Sequence, residues 1–161
     1  MAVDYKIGLL VFVAALEVVV NQEAGCPAGF ELHDTTCFFF SSGEHTWIEA
    51  FKFCRTFGYQ LVEVQDAQKD AYIRNKTSSL GGYFWISLSD KYIEGEFRWE
   101  STKTMLTSTS YQNWGVGEPD PGNENCVFYA PSRNYTWADA SCTRSEKYIC
   151  EKSADLGPSI G

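Results

Sequence analysis

Nine consecutive residues, Glu118-Pro119-Asp120-Pro121-Gly122-Asn123-Glu124-Asn125-Cys126, hold three carboxylates and two side-chain amides. Carboxylates crowded together repel one another unless a cation sits among them, and calcium takes about six to eight hard oxygen ligands. The residue types therefore suit calcium. The prolines restrict the backbone as well: Glu118 and Asp120 each precede one and are pushed towards extended geometry, in which side chains two apart face the same way. Pro121-Gly122 predicts a type II turn that brings Glu124 back towards them. Further on, Trp137-Ala138-Asp139 adds a carboxylate shortly before Cys142. A bridge from Cys126 to Cys142 would tie the two acidic elements together. The plain alternative is a solvated acidic turn beside core tryptophans.

Cys126 and Cys142 belong to a set of six with Cys26, Cys37, Cys54 and Cys150. An even count in a secreted chain reads as three disulfides, although spacing alone does not choose among the pairings. The rival reading is zinc, but no C-x-x-C occurs, and His33 and His45 lack metal-ligand spacing and read as ordinary surface residues. Residues 1–24 read as a secretory signal peptide: a short basic start ending at Lys6, an apolar run from Ile7 to Leu16, and Ala24-Gly25 near a cleavage point. That run is too short to span a bilayer. The sequons Asn75-Lys76-Thr77 and Asn134-Tyr135-Thr136 offer Asn75 and Asn134 for glycosylation.

The chain of 161 residues, 44% hydrophobic and 16% aromatic, has ample material for one core, and no repeat or linker divides residues 26–152. Residues 153–161 read as a C-terminal tail. With 21 acidic against 13 basic side chains and a formal net charge of −8, the chain lacks the basic footprint that nucleic acid or an anionic membrane requires. Extended chain around Cys37 reads as a hairpin-like start. Thr46-Trp47-Ile48-Glu49 is a capping box opening a helix whose apolar side is Trp47, Ile48, Ala50, Phe51, Cys54 and Phe57, with Gly58 ending it. A second helix is predicted over Ala67 to Lys76, capped by Asp66, with Ala71 and Ile73 inward. Beyond Gly82 come short aromatic and β-branched strands: Tyr83 to Ser89, Glu96 to Trp99, Cys126 to Ala130, Tyr135 to Trp137 and Lys147 to Glu151. The stretch Ser101 to Glu124 between them reads as one long loop, which in a compact domain is usually functional or disordered.

Taken together, the Trp85-Ile86-Ser87 strand, the Glu118-Pro119-Asp120 triplet, Glu124 two residues before Cys126, the Trp137-Ala138-Asp139 triplet and the cysteine order resemble the C-type lectin domain over Cys26 to Lys152. The resemblance implies an α+β fold of two helices and two small antiparallel sheets with a long calcium-binding loop. It implies disulfides Cys26–Cys37, Cys54–Cys150 and Cys126–Cys142, and a cis peptide before Pro119. It also implies a calcium ion held by Glu118, Asp120, Glu124 and Asp139, the same residues gripping two vicinal sugar hydroxyls. A second calcium site maps onto Asp90, Glu94 and Asn125 with help from Glu124, although Pro121 stands where a further carboxylate is often found. Charged residues on an exposed loop account for Asp90 and Glu94 equally well.

Two positions depart from the family pattern. Mannose-type members usually carry Glu-Pro-Asn and galactose-type members Gln-Pro-Asp, so each offers one acceptor and one amide donor, whereas Glu118-Pro119-Asp120 offers acceptors alone. Ala138 replaces an asparagine oxygen on the metal; the extra carboxylate at Asp120 is expected to offset it, with water filling the gap. No tryptophan follows the triplet to stack on a sugar, and Trp114 before it reads as core, so the specificity expected is mannose-like or mixed. The function implied is that of a secreted lectin for microbial glycans in innate immunity, with self-association left open. The rivals are a non-sugar surface or mineral binder on the same fold, and a glycosidase. Acids clustered on calcium are held ionised, which disfavours the raised pKa that hydrolysis needs, so no enzyme is expected.

Overall fold

The computed structural model describes residues 25–155; the signal-peptide reading over residues 1–24 lies outside them. In chain order the elements are β1 (Glu31–His33), β2 (Thr36–Phe40), α1 (Trp47–Thr56), β3 (Gln60–Leu61), α2 (Ala67–Leu80), β4 (Phe84–Ser89), β5 (Arg98–Trp99), β6 (Cys126–Ala130), a 3-10 turn (Pro131–Arg133), β7 (Thr136–Ala140) and β8 (Lys147–Ser153).

Two helices on a mixed sheet give the α+β fold expected. The sheets are not separate, however. An antiparallel group, β1, β2, β8 and β3, joins a second, β5, β4, β6 and β7, because β8 also pairs in parallel with β4 through Phe84↔Lys147 and Trp85↔Tyr148. Pairing continues beyond Lys152: Ser153 faces Thr36, and Gly25 bridges Asp155, so the C-terminal tail begins as strand.

The core lies on both faces of the central strands, which is why they read as near-continuous apolar runs. All six residues of β4 are buried. Successive side chains of a strand alternate between faces: Phe84, Ile86 and Leu88 join Val127, Tyr129 and Trp137 on one side, and Trp85 joins Phe128 and the α1 residues Trp47, Phe51 and Cys54 on the other.

Thr46 caps α1 as expected, its hydroxyl donating to Glu49 Oε2 at 2.7 Å and its backbone N–H at 3.0 Å. The buried stripe is Trp47, Ala50, Phe51 and Cys54. Two members of the predicted apolar face are corrected: Ile48 and Phe57 are 45% and 58% exposed. Ile48 sits off the i, i+3, i+4, i+7 rows. Phe57 falls beyond the helix, where Gly58 at φ +76 turns the chain away. Helix α2 runs one turn past Lys76 to Leu80, with the Asp66 carboxylate accepting from Lys69 N at 2.8 Å. Its inward row is Asp70, Ile73 and Thr77, and Ala71 points to solvent instead. Nor are the histidines ordinary surface residues: His33 stacks on Tyr72 at 3.8 Å and His45 on Tyr148 at 5.3 Å, both half-buried.

All three disulfides pair as the resemblance implied. No helix among the described residues is long and apolar enough to cross a membrane.

Candidate functional site

Strand β7 carries Asp139 and pairs on one side with β6, placing Asp139 opposite Val127. On its other side the long loop docks by main-chain bonds: Trp137 N donates to Asn113 O and Gly115 N to Trp137 O, both at 2.8 Å. The loop then turns sharply, Glu118 N donating to Gly115 O at 3.0 Å with Gly117 at φ +85. The Glu118-Pro119 peptide is cis, as expected. Asp120 N donates to Asp139 Oδ1 at 3.1 Å, so the loop closes back onto the strand. Trp114 packs edge-on against Trp137 at 5.8 Å and Phe97 at 4.8 Å; it anchors the loop to the core, as read from sequence.

Of the four carboxylates assigned to calcium, the structure brings two together. Asp139 is 4% exposed, and its Oδ2 is buried without a hydrogen-bond partner among the described residues. Burial pushes its carboxyl up to about 7; the Asp120 N–H opposes this and the neighbouring Glu118 carboxyl adds to it. The Glu118 side chain is 6% exposed and pairs with Arg133, Nη2 at 3.0 Å and Nε at 3.1 Å from Oε1. Asp120 and Glu124 are exposed. Among the described residues no three Asp, Glu, His or Cys side chains converge into a metal-holding group.

The predicted type II turn at Pro121-Gly122 is corrected. Gly122 does not adopt the positive φ that turn requires, and its N–H donates to Glu94 Oε1 at 3.1 Å. The segment thus leans on the Asp90 to Gly95 loop, and Glu124 is left in solvent. Asp90, Glu94 and Asn125 do come together: Asn125 Nδ2 donates to Asp90 Oδ1 at 3.2 Å and reaches Glu94 Oε2 at 3.5 Å. Asp90 is not an exposed loop charge, being 2% exposed with Oδ2 accepting from Gly95 N at 2.8 Å.

The residues present fit calcium in part. A buried carboxylate with a free oxygen, facing a second carboxylate, is a seat for a hard cation. Asp120 lies on the loop whose backbone N–H already bonds Asp139, and Glu124 is exposed farther along it. Ala138, 5% exposed, brings no ligand.

Three residues matter here that sequence reasoning passed over. Arg133 is one; the others are Asp70 and Asn113. Asp70, 2% exposed, accepts from Asn113 Nδ2 and from Tyr129 OH, each at 2.7 Å, and so ties α2 to the loop at the point where it meets β7. Burial pushes its carboxyl up and the Tyr129 bond opposes this. Asp70→Ala strands one buried donor, Tyr129 OH, and one half-buried donor, Asn113 Nδ2, which is expected to destabilise the fold by about 2 to 3 kcal/mol in urea. It should also speed native-state proteolysis between residues 107 and 124. Unchanged cleavage there would show that Asp70 does not hold the loop. Its sequence signal was a carboxylate on the inward row of α2.

Both sequon asparagines, Asn75 on α2 and Asn134 after the 3-10 turn, are exposed. A surface recess of about 520 Å³ is lined by residues including Tyr59, Gln60, Lys69 and Glu151 and shares none with the acidic loop.

A family model for the lectin C-type domain matches residues 43–152. The chain is 35% identical over 133 residues to Perlucin of Haliotis laevigata, covering 80% of this chain and 83% of that one. Among solved structures it resembles the mouse scavenger receptor C-type lectin carbohydrate-recognition domain, with TM-score 0.73 and 26% identity over 83% of this chain and 100% of that one. A calcium-independent type II antifreeze protein is similar at TM-score 0.70 and 26% identity, covering 81% and 95%.

Proposed function

The chain belongs to the C-type lectin family, a family of binding modules rather than enzymes, and from that premise we propose that it is a secreted lectin holding sugar through calcium at Glu118 and Asp139. The observation that carries the reading is the Asp139 carboxylate, buried with one oxygen unpartnered beside Glu118. A buried polar atom without a partner is rare and calls for a ligand, water or ion.

Bound calcium supplies the positive centre that makes a coordinated sugar hydroxyl a stronger donor. This chain's own part is to receive that donation. Glu118 and Asp120 present acceptors only, so a bound sugar must offer both vicinal hydroxyls as donors, and Ala138 contributes no amide. The absence of a stacking tryptophan between Pro121 and Asn125 supports mannose-like or mixed recognition, with microbial glycans as the natural targets. Asp90, Glu94 and Asn125 form a subsidiary seat beside the loop, bracing Gly122 and through it the segment that carries Asp120 and Glu124.

The test is a glycan array probed with calcium and again with EDTA. Binding that appears in calcium, disappears in EDTA and is competed by a monosaccharide is the expected result. A second reading draws on the calcium-independent antifreeze relative and on Arg133, whose guanidinium pairs with Glu118. It is adhesion to a mineral or ice surface. Binding to such a solid, displaced by neither sugar nor EDTA, together with an empty array, would replace the lectin reading with this one.

A further inference from the structure

Resting on the reading that calcium sits at Glu118, we propose that Arg133 is a built-in competitor of the ion, a side-chain cation that holds Glu118 in the metal-free protein and must release it for calcium to bind. Both Arg133 nitrogens within reach converge on Glu118 Oε1, at 3.0 and 3.1 Å. The Glu118 side chain is 6% exposed and that of Arg133 44%, so the guanidinium lies on the solvent side of the carboxylate it covers.

The arrangement is built rather than incidental. Arg133 ends the 3-10 turn, fixed behind by Asn134 in the left-handed region at φ 55 and by Thr136 Oγ1 donating to Arg133 O at 2.7 Å. Its stem crosses directly over Gly115: a Cβ there would stand 3.1 Å from Arg133 Cβ and Cγ. Only glycine allows so close a passage without a shift, and Gly115 is the residue whose N–H docks the loop on Trp137. The backbone that aims the arginine is therefore the backbone that positions the loop.

The guanidinium fork, with two donors on one carboxylate oxygen, makes a charge-assisted, directional interaction. Left in place it removes one of two carboxylate oxygens from an incoming ion, and a guanidinium beside the seat repels a divalent cation. When calcium enters, the guanidinium moves to solvent, where most of its hydration is recovered. Two consequences follow: the metal-free fold is protected from Glu118–Asp139 repulsion, and calcium affinity is held below what the acids alone would give.

The experiment is calcium titration by calorimetry on the disulfide-bonded protein, comparing the parent with R133Q, R133K and E118Q, alongside melting temperatures in EDTA and in saturating calcium. R133Q should bind calcium about two- to fivefold more tightly, the scale of one partly exposed ion pair. R133K, which keeps the charge but loses the fork, should fall between. The R133Q melting temperature should lie below the parent's in EDTA and at or above it in calcium. If E118Q weakens calcium and R133Q does not tighten it, Arg133 is no competitor, although the calcium reading stands. If neither parent nor R133Q takes up calcium, the calcium reading itself fails. Binding by R133Q alone would show complete blockade. Should R133Q not fold, R133K decides: tighter binding supports competition, and unchanged binding ends it.

Discussion

Replacing Cys54 and Cys150 together by alanine is expected to destabilise the fold by about 4 to 5 kcal/mol, close to the whole stability of many domains of this size. The bond closes a loop with a sequence separation of 96, and chain entropy makes long closures the most stabilising. It also spans the molecule's layers. Cys54 lies on the buried stripe of α1, and Cys150 lies in β8, opposite both Phe39 of β2 and Leu61 of β3. Both are fully buried, so the pair is a packing element as well as a link. Cys26–Cys37, with a separation of 11 at the edge of the sheet, should contribute about 3 kcal/mol on the same account. Urea midpoints of the two double-alanine proteins, measured without reductant, separate these cases. Equal losses would mean that loop length does not govern stability here.

What the sequence revealed was what is local. The capping box at Thr46 and the Asp66 cap lie within one turn of the helices they open, and both are present. Strand runs such as Phe84 to Ser89 announce themselves by composition because both faces are buried. Ile48 and Ala71 were misplaced since apolar character alone does not say which row a residue occupies; each sits one position off the buried stripe. A strand of two residues, Gln60–Leu61, has no room for periodicity. The parallel junction of β4 with β8 unites residues about sixty apart in sequence, which no local pattern records.

The candidate site divides the same way. The acids were legible as acids, and the disulfides came through the family resemblance, not through spacing. The turn at Pro121-Gly122 follows local preference until Glu94, 28 residues away, claims the Gly122 N–H. Arg133 carried no signal at all, because its role depends on where the 3-10 turn aims it across Gly115.

Asp139→Asn is expected to part stability from function. Calcium affinity should fall by about a hundredfold, since a charged ligand becomes a neutral one with a single acceptor oxygen, and calcium-dependent sugar binding should go with it. In EDTA the same change should stabilise the protein near neutral pH. Burial raises the Asp139 carboxyl from 3.8 to about 7 in the folded state. Below 3.8 the group is protonated whether the chain is folded or not, and its favourable contribution is fully present. Above 3.8 the unfolded chain ionises while the buried folded carboxyl stays protonated, so that contribution is lost progressively until pH reaches about 7, on the order of 4 kcal/mol. The asparagine protein carries no such dependence, so its advantage in EDTA should be absent near pH 4 and largest at pH 8. Adding calcium should reverse the ranking at pH 8, because the ion stabilises the parent by mass action and passes over the variant. If denaturant midpoints of the two proteins coincide at pH 4 and pH 8 and calcium moves neither, the carboxylate is ordinary packing. The unpartnered oxygen then ceases to argue for a metal, and the surface-binding reading becomes the better account of this fold.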